Sequence, residues 1–185
     1  MKNITIAALL MYLFAFSSCK KSSSPPSIVG KWAFSNITGT YTQNYSTTNG
    51  STTTYSFNSA INTLTQTTTT IGSTTQHITT TQVTSEVWNF LDDGTYTINE
   101  NYTMSPSPAV TSTSSGTWEY LSNTHANNSF VLTGSGSYII STLGNSGLYT
   151  FQTVNNTLVL SMVDAQTNNL GATSSTNLTI TFTKQ

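Results

Sequence analysis

The feature that most constrains this chain is its threonine content, combined with the spacing of its apolar residues. Threonine makes up about a fifth of the 185 residues, and its β-branched side chain favours an extended backbone. No window carries the i, i+3, i+4, i+7 apolar pattern of an amphipathic helix. Short segments instead alternate apolar with polar residues, as at Leu178, Ile180 and Phe182 near the end of the chain. These patterns predict an all-β protein.

Two tight turns predict hairpins and fix their registers. Asp92-Asp93-Gly94 suits a three-residue loop with a glycine-closed bulge, and Asn155-Asn156 suits a two-residue type I′ turn. The first turn pairs Phe90 with Tyr96, Trp88 with Ile98 and Glu86 with Glu100. The second pairs Phe151 with Leu160 and Tyr149 with Met162. In both hairpins the large apolar residues then share one face, which supports the register.

In residues 41–84 the sequence does not clearly indicate which side of each strand faces the core. Asn49-Gly50 indicates a hairpin, but pairing around it places Tyr41 and Tyr45 on one face and Tyr55 and Phe57 on the other. The four consecutive threonines at positions 67–70 show no alternation of apolar and polar residues. We expect extended, Thr-rich strands here that partly project from the core and are weakly fixed in register. A disordered insertion is the alternative.

The start of the chain predicts export and lipidation. Lys2 precedes an apolar run, residues 4–16, which is too short for a membrane span of about 20 residues and matches the core of a signal peptide. The run leads into Phe16-Ser17-Ser18-Cys19, which resembles the lipobox of bacterial lipoproteins. We expect a signal peptide over residues 1–18, lipid on Cys19, and a Ser/Pro-rich tether over residues 19–27. An ordinary signal peptide followed by a stray cysteine is the alternative.

The composition of residues 28–185 excludes several classes of function. This part has two lysines, no arginine and six carboxylates, a formal net charge of −4, so it lacks the cationic surface that nucleic acid requires. Once Cys19 is acylated, no thiol remains for a disulfide or for thiolate chemistry. His77 and His125 lack the spacing of metal ligands, so no metal or other cofactor is expected. The length suits one domain with a real core.

A series of short motifs resembles a known family. In chain order the motifs are Ile28-Val29-Gly30-Lys31-Trp32, residues 88–96, Gly116-Thr117-Trp118-Glu119-Tyr120, residues 156–160 and residues 178–183. The series resembles the lipocalin-like domains of many Bacteroidetes lipoproteins, and Gly30-x-Trp32 resembles the Gly-x-Trp of lipocalins, whose tryptophan closes one barrel end. The resemblance implies an antiparallel up-and-down barrel of about eight strands over residues 28–185, with a Thr-rich extended hairpin inserted near residues 41–84. Such a barrel can enclose one small ligand, but its fold supplies no function.

Large residues on the inward phase of these strands are the candidates for lining a ligand cavity. They are Trp32, Phe34, Trp88, Phe90, Tyr96, Ile98, Trp118 and Tyr120. Inward-facing aromatic residues usually belong to the core, which is the alternative for all eight. The residues that we expect to point inward in either case are Trp32, Phe90, Trp118, Phe151, Leu160, Ile180 and Phe182.

Glu86 and Glu100 form a constellation with catalytic potential. Two facing carboxylates raise each other's proton affinity, and glycosidases use such a pair. The register places both at the far end of their hairpin, where we expect them to lie in water at the barrel mouth. We therefore expect no catalytic residues and no enzyme.

These observations predict a non-catalytic lipoprotein, anchored through its lipid to a membrane of the cell envelope. We expect the outer membrane with the domain facing the periplasm, because Lys20-Lys21-Ser22 lacks the acidic residues that often follow the cysteine in exported surface lipoproteins of this group. The predicted function is binding of a small apolar or amphipathic ligand. The alternative is a structural or protein-interaction lipoprotein with a filled core, and the sequence identifies no protein partner.

Overall fold

The computed structural model describes residues 27–46, 49–124, 127–134, 146–167 and 172–185. Within these ranges all of the helical or strand structure is β-strand, as the alternation predicted. The strands are β1 (Gly30–Ser46), β2 (Asn49–Asn58), β3 (Thr63–Thr70), β4 (Gln76–Phe90), β5 (Thr95–Met104), β6 (Ala109–Thr124), β7 (Asn127–Gly134), β8 (Ser146–Val154), β9 (Thr157–Thr167) and β10 (Thr173–Lys184). The predicted signal peptide, Cys19 and His125 lie outside the described residues. Nowhere in the described ranges is there a helix that could cross a membrane.

The ten strands form one antiparallel sheet that closes on itself. Its order is β1-β10-β9-β8-β7-β6-β5-β4-β3-β2, with β2 returning to β1. About eight strands were predicted, and the ring contains two more because the Thr-rich segment enters it as β2 and β3. Each of these strands contributes a side chain to the core, since Tyr55 and Leu64 are buried inside the ring. The expectation of extended, Thr-rich strands in this segment is confirmed, and both strands form part of the closed ring.

The two ends of the ring differ in strand number because β1 changes its neighbour. At one end Gly30 to Ala33 pair directly with Phe90 to Val87 of β4, so the ring contains eight strands there. We call this the Trp32 end. At the other end, the Thr-rich end, β1 pairs with β2 instead, from Thr38 opposite Ser56 to Ser46 opposite Asn49. The β2–β3 hairpin thus enters the ring as a wedge between β1 and β4.

The place where the wedge begins carries two irregularities. The pairing of β1 with β10 shifts between Phe34 and Asn36, and the pairing of β4 with β5 shifts between Val83 and Ser85. Such bulges insert one residue, bend the strand and redirect its side chains. We call residues 34–37 of β1 and 83–86 of β4, with the adjoining end of the β2–β3 hairpin, the fork.

Large side chains fill the inside of the ring because successive residues of a strand face opposite sides. All seven residues that were predicted to point inward are buried: Trp32, Phe90, Trp118, Phe151, Leu160, Ile180 and Phe182. The packing is close enough to constrain the backbone. A Cβ placed on Gly116 would collide with the backbone carbonyl oxygen of Thr133 and would lie 2.8 Å from the hydroxyl of Tyr96, which explains the glycine in the motif before Trp118.

The predicted hairpin at residues 92–94 is present in its predicted register. Phe90 pairs with Tyr96, Trp88 with Ile98 and Glu86 with Glu100. Asp93 closes the turn by accepting hydrogen bonds from the backbone amide and the hydroxyl of Thr95, at 2.9 and 2.6 Å. These bonds, that from the Thr95 side chain first, lower the pKa of Asp93.

Two other turn predictions are wrong in detail. At Asn155-Asn156 the register is right, with Phe151 opposite Leu160, but φ is positive at Asn155 alone, whereas a type I′ turn needs it at both positions. In the β1–β2 hairpin, Asn49 pairs with Ser46, so Asn49-Gly50 belongs to β2 rather than to the turn. That register places Tyr41 on the inner face with Tyr55 and Phe57, because Tyr41 pairs with Thr53.

Candidate functional site

Most of the residues predicted as cavity lining pack against one another. Phe90 has ring centroids of Trp88, Tyr96, Trp118 and Phe130 within 5.8 to 6.2 Å. Of the eight candidates, six are buried in this aromatic core, namely Trp32, Trp88, Phe90, Tyr96, Ile98 and Trp118. Tyr120 is partly buried against the core, and burial raises the pKa of Tyr96. The aromatic residues of the Trp32 end therefore fill one another's space.

The segment before β1 closes the Trp32 end of the ring. Ile28 is fully buried, its carbonyl accepts the indole N–H of Trp32 at 2.7 Å, and its amide donates to the hydroxyl of Tyr120 at 3.1 Å. Lys184 places its ammonium group 5.7 Å from the centre of the Trp32 ring. Trp32 thus lies near the end of the ring at which β1 begins.

Phe34, the remaining candidate, lines an open cleft of about 270 Å³ at the fork. The walls of the cleft come from β1, β4 and the end of the β2–β3 hairpin. The lining residues are Phe34, Ser35, Phe57, Ser59, Asn62, Val83, Thr84, Ser85 and Glu86. The rings of Phe34 and Phe57 meet edge to face with centroids 4.9 Å apart. The cleft therefore combines an aromatic wall with hydroxyl, amide and carboxyl groups.

Glu86 brings a buried carboxyl group to this cleft. Only 5% of Glu86 is exposed, and its Oε1 accepts the indole N–H of Trp88 at 2.6 Å. Glu100, directly opposite on β5, is also 5% exposed, and its Oε2 accepts the hydroxyl of Ser112 at 2.9 Å. The expectation that both glutamates lie in water at the mouth is wrong. The wall extends beyond them because β4, β5 and β6 continue toward the Thr-rich end.

From the fork to the Thr-rich end, buried polar side chains join the apolar ones inside the ring. The buried polar residues of the described part are Thr81, Glu86, Glu100 and Thr176. Thr81 is 1% exposed, and its hydroxyl has no hydrogen-bond partner. It lies on the inner face of β4 beside Leu64, whose other neighbour is Phe57 of the cleft. A ligand that reaches this part of the interior would meet polar groups as well as apolar ones.

The described residues offer limited chemistry. They contain no group of three or more His, Cys, Asp or Glu side chains that could hold a metal ion, and His77 is exposed on β4. A glycosidase would need both carboxyl groups beside its substrate. Glu86 lines the cleft, whereas Glu100 is not part of its lining. The cleft therefore has one of the two carboxyl groups in its lining.

Sequence reasoning missed most of the cleft. Phe57 was assigned to the wrong hairpin register, and Ser35 and Thr84 were not considered, because a single-residue bulge leaves no clear mark in the sequence. The one available signal was the predicted pairing of Glu86 with Glu100, but the sequence analysis places both side chains in water.

Comparison of the chain with protein-family models, with curated proteins and with solved structures found no match.

Proposed function

We propose that this chain is a lipid-anchored binding protein of the cell envelope and that its ligand occupies the cleft at the fork. The observation that carries the proposal is the cleft itself, an open space of about 270 Å³ at the fork. At the Trp32 end of the ring, by contrast, the side chains pack against one another. Its size is close to the lower end of small-molecule sites. The lipocalin-like interpretation of the ring agrees with such a role, although the fold alone does not assign it.

The lining indicates an amphipathic ligand rather than a purely apolar one. Phe34, Phe57 and Val83 offer an apolar wall, while the carboxyl group of Glu86 and the hydroxyls of Ser35 and Ser85 offer acceptors. A polar group that a ligand covers loses its contact with water, so such a lining disfavours a ligand that cannot hydrogen-bond to it. We therefore expect a small molecule with an apolar body and a hydrogen-bond-donating head.

A structural lipoprotein with a filled interior is the second candidate. The ring contacts around Phe90, together with the closure of the Trp32 end by Ile28, favour it. The two candidates differ in one measurable property, because only a binding protein takes up a ligand saturably.

Binding of an environment-sensitive amphipathic dye, with an apolar ring system and a hydrogen-bond-donating group, tests the proposal. We expect the full chain to bind the dye saturably and Phe57→Ala to weaken binding at least tenfold, because Phe57 supplies half of the aromatic wall and is only partly buried. Leu148→Ala is the matched control, since Leu148 is 48% exposed on β8. Absence of saturable binding, or equal binding by Phe57→Ala, would favour the structural candidate.

Anchoring depends on Cys19 in this proposal. Two or more acyl chains hold a protein stably on a membrane, whereas one binds only marginally. Replacing Cys19 with Ser should abolish labelling by a radioactive fatty acid and release the protein from the membrane fraction. Lipid label retained in Cys19→Ser would rule out this anchor. Protease treatment of intact cells tests the proposed placement of the domain in the periplasm, which predicts protection.

A further inference from the structure

The start of the domain is fixed at the Trp32 end of the ring. Ser27 is exposed, and its hydroxyl accepts a hydrogen bond from the amide of Val29 at 3.1 Å. Ile28 is fully buried between two further bonds, the 2.7 Å bond from the Trp32 indole to its carbonyl and the 3.1 Å bond from its amide to the Tyr120 hydroxyl. The chain that precedes Ser27 therefore joins the domain at this end of the ring.

The distance from Ser27 to the proposed lipid anchor is limited by the number of residues between them. Cys19 carries the lipid in the proposed function, and Ser27 follows it by eight residues. A fully extended chain covers at most about 3.3–3.6 Å per residue, so Ser27 lies no more than about 29 Å from the anchored cysteine. This limit restricts the ways in which the ring can face the bilayer.

The ring is longer than this limit. β1 has 17 residues and extends from Gly30 at the Trp32 end to Ser46 at the Thr-rich end. At about 3.3 Å per residue and a strand tilt of about 35–45°, it separates the two ends by roughly 35–45 Å. If the Thr-rich end rested on the bilayer, Ser27 would be farther from the membrane than an extended tether reaches. The length of the tether therefore excludes that orientation.

Exposed apolar side chains lie at the Trp32 end on both sides of β1. We define the rim as the β4–β5 turn, the β8–β9 turn, the start of β1 and the end of β10. Leu91, in the β4–β5 turn, is 41% exposed, and Val154, at the β8–β9 turn, is 62% exposed. The β8–β9 turn adjoins the end of β10, because the amide of Lys184 donates to the carbonyl of Asn156 at 2.7 Å. The rim therefore offers two apolar contacts beside the start of the domain.

The charged residues of the rim balance one another. Lys31 and Lys184 bring positive charge, and Asp92 and Asp93 of the β4–β5 turn bring negative charge. Attraction to anionic lipid needs an excess of positive charge, which these four residues do not supply. Contact between the rim and a bilayer therefore depends on the tether and on the apolar side chains, and a bilayer without net charge is sufficient.

We propose that the rim lies on the bilayer surface, with Leu91 and Val154 at the level of the lipid headgroups, and that the Thr-rich end points away from the membrane. This inference rests on the proposed anchoring at Cys19. It also places the cleft near the bilayer, because Ser35 of the lining follows Gly30 by five residues along β1, or roughly 13 Å from the rim. An amphipathic ligand then has a short path between the membrane and the cleft.

Quenching of a thiol-attached fluorophore by lipids with a nitroxide headgroup measures which residues lie at the bilayer. Cys19 is the only cysteine of the chain, so once it is lipidated each single cysteine variant has one free thiol. Val154→Cys reports on the rim, Ile71→Cys on the Thr-rich end, and Leu148→Cys and Ile61→Cys on two sides of the ring. All four original residues are apolar and at least 39% exposed, so they are matched. The lipidated full chain is placed on phosphatidylcholine vesicles that contain the nitroxide lipid.

The order of quenching along the ring decides the orientation. We expect quenching at Val154 to be at least about threefold stronger than at Ile71, because the two ends are roughly 35–45 Å apart, with Leu148 and Ile61 quenched less than Val154. Equal quenching at all four positions, or stronger quenching at Ile71, would overturn the proposal. Stronger quenching at Leu148 or Ile61 than at Val154 would also overturn it, because the ring would then lie on its side. A lipidated chain that stays off the vesicles would contradict the proposed anchor and with it this inference.

Discussion

Replacing Trp32 with alanine should lower the free energy of unfolding by about 3–5 kcal/mol, the usual cost of truncating a fully buried large aromatic side chain. Trp32 is 2% exposed, and its indole N–H holds the carbonyl of Ile28 across the closed end of the ring. The substitution removes the packing and leaves that carbonyl without its donor. Denaturant unfolding of the full chain measures the loss.

Leu121→Ala is the control for this prediction. Leu121 also loses apolar atoms in the substitution but is 60% exposed on β6, so the change should be within about 0.5 kcal/mol. If Trp32 instead lined an empty cavity, the side of its ring that faces the cavity would have no contacts to lose, and Trp32→Ala would cost much less. A loss below about 1.5 kcal/mol would contradict a filled Trp32 end.

Phe90→Ala should be comparably destabilising, by about 3–5 kcal/mol. Phe90 is 1% exposed and contacts the rings of Trp88, Tyr96, Trp118 and Phe130. Its removal leaves a hole among four rigid rings that cannot collapse without moving several strands. Thermal and denaturant unfolding should agree on the size of the loss.

Phe90→Leu separates volume from aromatic geometry in the same place. Leucine restores most of the volume but none of the edge-to-face contact, so we expect a loss well below that of Phe90→Ala. Equal losses in Phe90→Leu and Phe90→Ala would show that the site rejects any change of shape, whereas small losses in both would contradict tight packing.

The parts of the fold that could be read from the sequence are those that local alternation controls. The register around residues 92–94 was predictable because the turn length and the apolar phase of both strands agree. The inward positions of Trp118 and Phe182 followed from the same period of two. These features depend only on residues that are close together in the chain, so the sequence alone is sufficient to predict them.

The fork could not be predicted because it depends on contacts between distant strands. β1 pairs with β4 at Gly30 but with β2 from Thr38 onward, and the change of partner needs one-residue bulges that the Thr-rich pattern does not mark. The burial of Glu86 and Glu100 was missed for a related reason. The turn and strand pattern predicts that their hairpin ends at the mouth of the ring, whereas residues 76–85 of β4 extend the wall of the ring beyond them.

Fluorine NMR of the tryptophans can show whether a ligand binds at the fork while the Trp32 end stays filled. The chain has three tryptophans, so 5-fluorotryptophan labelling gives three signals, from Trp32, Trp88 and Trp118. Titration with the amphipathic dye should shift the Trp88 signal saturably, because its indole N–H is bonded to Glu86 of the cleft, and should leave the other two in place. Shifts of Trp32 and Trp118, or no shift at all, would contradict the claim.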